Sequence, residues 1–185
     1  MMVTPTTKIH DYAVPLRDDV RDFLMDLLRR SFAHTYLEIG TGEGVSTTYI
    51  ARHIPHLKID TVEKRASHVE RAYQSFFAHD VLDRVHIYHD DAFEFYPTKP
   101  YDAILIDAAK SHQQALVEKY IPHVSQGGFM LVDNTDLSRV KTSPVTRSRD
   151  ALSSKHDQFI DWLITTYKDA VTWHDLGDGI ALIRP

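Results

Sequence analysis

The segment TYLEIGTGEGVSTTYIARH, residues 35–53, decides the fold of this chain. It opens with a short apolar run at 35–39, which predicts a strand, and closes with a stretch at 45–53 that predicts a helix. Three glycines at alternate positions form the turn between them: Gly40, Gly42 and Gly44. Glycine tolerates positive φ and lets a ligand approach the backbone without a Cβ in the way. The unit therefore predicts a ligand-binding turn at the edge of a sheet.

The same alternation of strand and helix continues on both sides of this unit. Apolar runs predict further strands at 58–62, 85–88, 103–106, 129–132, 171–174 and 180–183. Amphipathic stretches predict helices at 17–31, 67–79, 113–124 and 156–167. Gly127 and Gly128 are expected to end the helix at 113–124, residues 134–152 to form a long polar loop, and residues 177–179 to turn a hairpin.

Repeated strand–helix units with nearly all-apolar strands predict a doubly wound α/β fold with a mostly parallel sheet. The chain has 185 residues, so we expect a single domain over 1–185, with residues 1–16 as a polar N-terminal arm. The N-terminus lacks the apolar core of a signal peptide, and no run approaches the length that spans a bilayer, so we expect a soluble, cytoplasmic protein without a membrane partner.

Composition narrows the chemistry. The chain has no cysteine, which excludes disulfides, zinc–thiolate sites, iron–sulfur clusters and cysteine nucleophiles. Its formal net charge is -5, which argues against a protein that coats nucleic acid over its whole surface. Among the histidines, His53, His56, His68 and His79 are expected on helix surfaces or loops, and His112 at the surface near Lys110.

An acidic residue accompanies the glycine turn. Glu63 ends the second predicted strand, 23 residues after Gly40, where a carboxylate can accept hydrogen bonds from the hydroxyls of a ribose. Glu38 and Glu43 add negative charge that suits a cationic adenosine ligand such as S-adenosylmethionine better than a diphosphate. The alternative is a tight strand-to-helix turn with a solvated Glu63.

A second group of polar residues follows the fourth and fifth predicted strands. Asp107 ends one of them, and Asp133 and Asn134 end the other. The carboxyl ends of neighbouring parallel strands share one edge of the sheet, and three oxygen ligands there suit Mg²⁺ or Ca²⁺. Lys110 is placed to act as a base or an electrostatic partner. Spacing alone does not separate this site from carboxylates that cap the following helix or loop.

At these residues the chain resembles the class I S-adenosylmethionine-dependent methyltransferases, and within them the cation-dependent O-methyltransferases of the catechol and caffeoyl-CoA type. The resemblance covers residues 14–185. Its motifs are LEIGTGEGVS (37–46), VEK (62–64), YDAILIDAAK (101–110), GGFMLVDN (127–134) and GDGIALI (177–183).

The resemblance implies a seven-stranded sheet of Rossmann-like type with an antiparallel last strand, and commonly a homodimer. It implies S-adenosylmethionine bound by Glu38, Gly40, Thr41, Gly42, Gly44, Ser46, Glu63, Lys64, Asp91, Ala92 and Asp107. It also implies Mg²⁺ held by Asp107, Asp133 and Asn134, with Lys110 and Asp107 as catalytic residues.

The chain departs from that pattern in two places. Only a short polar arm and one helix precede the glycine turn, where relatives have a further helical segment over the substrate site. Gln113 stands where a tyrosine often follows the lysine. Both differences concern the substrate and the dimer more than the cofactor.

The acceptor has two candidate classes. A small phenolic or catechol-like molecule would present an acidic hydroxyl. Some bacterial relatives instead modify the hydroxylated wobble uridine of tRNA. Residues 135–155 carry five basic against two acidic side chains, a local excess that could contact phosphates. An equally good interpretation of this segment is a solvated loop.

Two rival classes remain. The first is a nicotinamide oxidoreductase, and two features argue against it. Val45 stands where the G-x-G-x-x-G pattern requires its third glycine, and the chain lacks a Tyr-x-x-x-Lys pair. A non-catalytic cofactor-binding protein is the other, since a short N-terminus could leave the site without a cover.

Overall fold

The structure is a computed structural model that describes residues 12–108, 112–135 and 148–185, with only the backbone described for 148–154. The helices in these ranges are α1 (Asp18–Arg30), α2 (Val45–His53), α3 (Ala66–Ala78), α4 (Gln113–Tyr120) and α5 (Ser148–Tyr167). The strands are β1 (Thr35–Ile39), β2 (Lys58–Glu63), β3 (Val85–His89), β4 (Tyr101–Ile106), β5 (Val124–Asp133), β6 (Val171–His174) and β7 (Ile180–Ile183). None of the helices in the described ranges is both long and apolar enough to cross a membrane.

The strands form one sheet in the order β3-β2-β1-β4-β5-β7-β6. Neighbours among the first five strands pair in parallel, and β7 runs antiparallel to both β5 and β6. The predicted seven-stranded, mostly parallel sheet is confirmed. The chain order reverses between β1 and β4, and ligands bind at such a switch point, beyond the carboxyl ends of the strands.

Helices cover both faces of the sheet because successive strand residues point to opposite sides. Tyr36 packs with α1, α2 and α3, and its neighbour Leu37 packs with α4 and α5. Both side chains are fully buried. The unbroken apolar runs in β1 and β4 thus reflect strands that are buried on two faces.

The expected role of Gly127 and Gly128 is wrong. Helix α4 ends at Tyr120, and a short 3₁₀ turn that contains Pro122 follows it. Strand β5 then includes both glycines. A Cβ on Gly128 would lie 2.6 Å from the carbonyl oxygen of Asp102, so glycine allows β5 to approach β4 where the register between them shifts. That close contact is long-range, and the sequence pattern around the glycines does not reveal it.

The predicted loop at 134–152 is too long at its C-terminal end. Helix α5 starts at Ser148, not at residue 156. The additional stretch, SRDALSSK at 148–155, lacks the apolar stripe that predicted the rest of the helix. Residues 136–147 of the predicted loop lie outside the described part of the chain.

Candidate active site

A cavity of about 660 Å³ lies at the carboxyl ends of β1 and β2, a volume typical of small-molecule sites. Its wall includes the glycine turn at 40–43, residues 63–65 at the end of β2, and residues 90–93 after β3. Residues 107–108 after β4 and residues 13–16 before α1 also contribute to it. The cavity therefore occupies the switch point that the strand order creates.

Gly40 brings the ends of β1 and β4 together. Its φ is 108°, and a Cβ there would lie 2.1 Å from the carbonyl oxygen of Asp107. The Gly40 amide donates to the carbonyl of Val62 over 3.0 Å, and the Asp107 amide donates to that of Ile39 over 2.9 Å. Gly40 is thus fixed between β2 and β4, with no room for a side chain.

The other two glycines have different surroundings. Gly42 lines the cavity, where a Cβ would lie 2.7 Å from the Cβ of Ala13. Gly44 has a φ of 75° and faces helix α3, where a Cβ would come within 2.8 Å of Phe76 and 2.9 Å of Ala72. Gly44 therefore permits α2 to pack closely against α3, and the structure places it behind the wall of the cavity.

Glu63 is anchored to the glycine turn. One carboxylate oxygen accepts the Gly42 amide at 2.9 Å, and the other accepts the Arg65 amide at 2.8 Å. A carboxylate has about four acceptor positions, so two amides leave capacity for the hydroxyls of a ribose. Glu63 thus lies where the sequence predicts it, held in one orientation before any ligand binds.

His68 was expected at the surface, and that expectation is wrong. Its side chain is buried and lines the cavity, with Nδ1 3.8 Å from a carboxylate oxygen of Glu63. His68 belongs to the first turn of α3, and α3 begins at Ala66, three residues after β2 ends at Glu63. His68 belongs to no catalytic or ligand-binding motif in the sequence, so no signal in the sequence indicated that it lines the cavity.

Glu38 lies in a buried hydroxyl network at the floor of the cavity. One carboxylate oxygen accepts the hydroxyls of Thr47 at 2.5 Å and Thr61 at 2.7 Å. The Thr61 hydroxyl is also 2.6 Å from that of Thr41. Burial raises the pKa of Glu38 to about 7, and the hydrogen bonds from Thr47 and Thr61 oppose that rise. The sequence predicted a cavity residue here, but not a carboxyl group that titrates near neutrality.

The remaining predicted cofactor residues also line the cavity. Lys64 donates to Asp91 over 2.5 Å, which raises the pKa of the lysine and lowers that of the aspartate. Ala92 lies beside them, and the Tyr120 hydroxyl donates to its carbonyl at 2.7 Å. The Ser46 hydroxyl accepts the amide of Leu16 at 3.1 Å.

The N-terminal segment covers one side of the cavity, which the sequence did not predict. Residues 13–16 contribute to its wall, and Leu16 is buried in the core. The hydrogen bond from Leu16 to Ser46 and the contact of Ala13 with Gly42 hold the segment in place. Part of the arm predicted at 1–16 is therefore structural, and residues 1–11 lie outside the described ranges.

The charge on the described wall of the cavity is negative. Six lining residues are carboxylic acids: Glu38, Glu43, Glu63, Asp90, Asp91 and Asp107. Two are strongly basic, Lys64 and Arg65. This balance favours a cationic ligand and disfavours a diphosphate. An S-adenosylmethionine-sized ligand with a sulfonium and an ammonium group fits both the volume and the charge.

The predicted metal ligands follow neighbouring strands, as expected. Ile106 pairs with Val132, so Asp107, directly after β4, and Asp133, the last residue of β5, lie at the same edge of the sheet. Asp107 lines the cavity, and Asp133 and Asn134 are half-buried. The described ranges contain no group of three His, Asp or Glu side chains placed to hold a metal ion. The predicted set is two carboxylates and one amide, a donor chemistry that fits a hard cation.

The sequence predicted two further residues in this region. Lys110 lies outside the described residues. His112 was expected at the surface, and it is exposed. It also lines the cavity, where its ring and the Phe93 ring lie edge to face with their centroids 5.6 Å apart.

Comparison with known proteins identifies the family. Residues 37–135, just over half of the chain, match the family model described as "Methyltransferase domain". The chain belongs to this family. The methyltransferase fold implied by the resemblance is therefore confirmed.

Curated relatives of the methyltransferase domain act on different acceptors. The chain is 34% identical over 106 residues to a catechol O-methyltransferase from Mycobacterium tuberculosis, covering 55% of this chain and 48% of the relative. It is 32% identical over 120 residues to a protein-L-isoaspartate O-methyltransferase from Shewanella halifaxensis, covering 64% of this chain and 54% of the relative. The chain thus spans about half the length of the curated relatives it matches.

Solved structures match over more of the chain. A candidate caffeoyl-CoA O-methyltransferase from Staphylococcus aureus superimposes with a TM-score of 0.80 at 27% identity, covering 91% of this chain and 84% of that one. An O-methyltransferase from Bacillus cereus in complex with S-adenosylhomocysteine gives a TM-score of 0.73 at 22% identity, covering 92% and 83%. The second likeness establishes the fold alone.

The Gly40 contact predicts a large difference between two glycine-to-alanine substitutions. Gly40 and Gly127 both have positive φ, but Gly127 has open space around its Cβ position. Gly127→Ala should cost about 1–2 kcal/mol of backbone strain. Gly40→Ala should cost about 1–3 kcal/mol more, because strand ends must separate, and should also weaken S-adenosylhomocysteine binding. Urea unfolding and calorimetric titration measure both effects; equal unfolding free energies would contradict the contact.

Burial of Glu38 predicts a pH-dependent stability. The pKa of Glu38 rises from 4.5 to about 7 on folding, so the folded chain holds the proton more tightly. The contribution is complete below pH 4.5 and disappears as the pH rises through about 7. Between these limits, the unfolding free energy of the unmodified chain should fall by about 3 kcal/mol relative to Glu38→Gln. Urea unfolding across this pH range measures it, with exposed Glu70→Gln as the control. Parallel curves for the unmodified chain and Glu38→Gln would refute the assignment.

Proposed function

We propose that this chain transfers the methyl group of S-adenosylmethionine to an acidic hydroxyl of a small phenolic or catechol-like acceptor, with assistance from Mg²⁺ or another divalent cation. The observation that carries the proposal is the anionic cavity at the switch point, with Glu63 hydrogen-bonded to the glycine turn. Relatives named as O-methyltransferases support the reaction class.

The chain would bind the methyl donor through charge and shape. S-adenosylmethionine, when bound, supplies a methyl group that is already activated by the sulfonium. Glu63 would accept the ribose hydroxyls, and Asp91 and Ala92 would border the adenine. The carboxylates of the cavity would offset the positive charge of the donor. Residues 13–16 would shield one side of the site from water. Catalysis by such a site comes mainly from holding two reactants in line.

The acceptor would bind at the edge formed by the ends of β4 and β5. Asp107, Asp133 and Asn134 would hold Mg²⁺, which when bound makes a nearby hydroxyl more acidic. Asp107 also lines the cavity, so the acceptor edge adjoins the donor site. Lys110, with Asp107, would assist removal of the acceptor proton.

Two points support a small acceptor. The catechol O-methyltransferase relative has a small acceptor by name. The wall of the cavity is negatively charged, which would repel a phosphate backbone. Contacts to tRNA through residues 135–155 and a homodimer remain predictions, and residues 136–147 fall outside the described ranges.

The donor site can be tested by thermal-shift and calorimetric titration. S-adenosylhomocysteine at about 100 times its Kd should stabilise the chain by about 2.7 kcal/mol, whereas NAD should not. Glu63→Gln keeps the shape but loses the charge, and should weaken S-adenosylhomocysteine about tenfold or more. Glu70→Gln, on the exposed side of α3, is the matched control. Stabilisation by NAD alone would replace the proposal with a nicotinamide enzyme.

The acceptor edge can be tested by methyl transfer to catechol with and without Mg²⁺. Asp133→Ala should reduce the Mg²⁺-dependent rate at least about a hundredfold, because one ligand of a hard cation is lost. Its affinity for S-adenosylhomocysteine should stay within about twofold, since Asp133 lies at the neighbouring strand end. Asp161→Ala, exposed on α5, should behave as the unmodified chain. Unchanged Mg²⁺-dependent turnover by Asp133→Ala would refute the role of the cation.

A further inference from the structure

The chain adopts an unusual backbone conformation directly after β5. Asn134 has a φ of 61°, in the left-handed region, which asparagine adopts more readily than most residues with a side chain. Its amide donates to the Asp133 carboxylate at 2.7 Å. Because asparagine tolerates this conformation, the contacts on either side of it, and not the φ angle alone, show whether the conformation is held. The surroundings of Asn134 therefore need an explanation.

Two buried side chains from different helices hold the residues on either side of Asn134. The Gln113 side-chain amide, from the start of α4, donates to the Asp133 carbonyl at 2.6 Å. The His156 Nε2, from α5, lies 3.0 Å from the Thr135 carbonyl and must be its donor, because a carbonyl only accepts. The Thr135 amide donates to the carbonyl of Gly179 in the β6–β7 hairpin at 3.0 Å. Three separate elements thus fix one tripeptide.

Gln113 is a buried polar side chain with only part of its hydrogen-bonding capacity used. It is 2% exposed, and within the described ranges its Oε1 is a buried acceptor without a hydrogen-bond partner. An unsatisfied buried amide oxygen is costly. An apolar side chain of similar size would avoid that cost. The amide cannot be turned round, because its oxygen would then face the Asp133 carbonyl.

We propose that Gln113 and His156 are positioning residues that hold Asp133 and Asn134 in the backbone geometry that binds a divalent cation. The inference rests on the proposed function, in which these two residues are cation ligands. Gln113 and His156 act through the carbonyls of Asp133 and Thr135. They fix the strand end from two sides, so that the ligand side chains need little rearrangement when the cation arrives. Groups that orient metal ligands in this way contribute strongly to affinity.

The direct test is Mn²⁺ binding to the full chain, measured by electron paramagnetic resonance without any acceptor. Gln113→Met has nearly the same size but cannot donate, and should weaken Mn²⁺ about tenfold or more. The matched control is Gln114→Met on the same helix, where the exposed amide contacts Glu118 instead. Gln114→Met should bind Mn²⁺ as the unmodified chain does. S-adenosylhomocysteine affinity, measured on each variant, reports the integrity of the fold and should stay within about twofold.

His156 gives an independent readout. His156→Phe removes the donor to Thr135 and should weaken Mn²⁺, and His156→Gln keeps an N–H donor and should recover most of the affinity. Equal Mn²⁺ affinities for Gln113→Met and Gln114→Met, with binding lost in Asp133→Ala, would overturn the positioning role and leave the proposed function intact. Loss of Mn²⁺ and S-adenosylhomocysteine together in Gln113→Met would also overturn it, as a general structural effect. Undiminished Mn²⁺ binding by Asp133→Ala would overturn both proposals.

Discussion

The close approach of Gly40 to the backbone of Asp107 is the contact on which the two halves of the site depend. It joins the end of β1, which begins the glycine turn, to the end of β4, where Asp107 follows the strand. The hydrogen bond from the Gly40 amide to Val62 adds β2, and with it Glu63, to the same junction. A side chain at residue 40 would separate these strand ends, and the cavity and the carboxylates at the ends of β4 and β5 would lose their fixed relative position.

The negative charge of the cavity is held in place by the chain itself. Glu63 accepts two backbone amides, Asp91 accepts Lys64, and Glu38 accepts two threonine hydroxyls. Because each carboxylate has partners before a ligand arrives, little side-chain freedom remains to be lost on binding, and preorganisation of this kind favours affinity. The Glu38 carboxyl differs from the other two, since burial raises its pKa to about 7 and leaves it partly protonated at neutral pH.

The sequence predicted those features that depend on local pattern. Apolar runs located the strands, and the glycine spacing and Glu63 located the cavity. The sequence-based predictions were wrong where contacts between distant parts of the chain determine the structure. Gly128 allows β5 to approach the Asp102 carbonyl, and residues 13–16 are held by Ser46 and Gly42. The buried position of His68 depends on how α3 starts beside Glu63, which a helical pattern does not reveal. The start of α5 was missed because its first residues lack an apolar stripe.

The glycine turn lies within the family region, whereas the tripeptide 133–135 is also held by elements outside that region. The family match spans residues 37–135, which carry the glycine turn and Glu63 and end at the tripeptide 133–135. The relatives named as catechol and protein-L-isoaspartate O-methyltransferases match this chain over 106 and 120 residues, so similarity at this level does not by itself specify the acceptor. The tripeptide at 133–135 is held by α4, α5 and the β6–β7 hairpin, two of which lie beyond the family match. The strand end that carries Asp133 and Asn134 is therefore held both by α4, within the family region, and by α5 and the β6–β7 hairpin, which follow it in the chain.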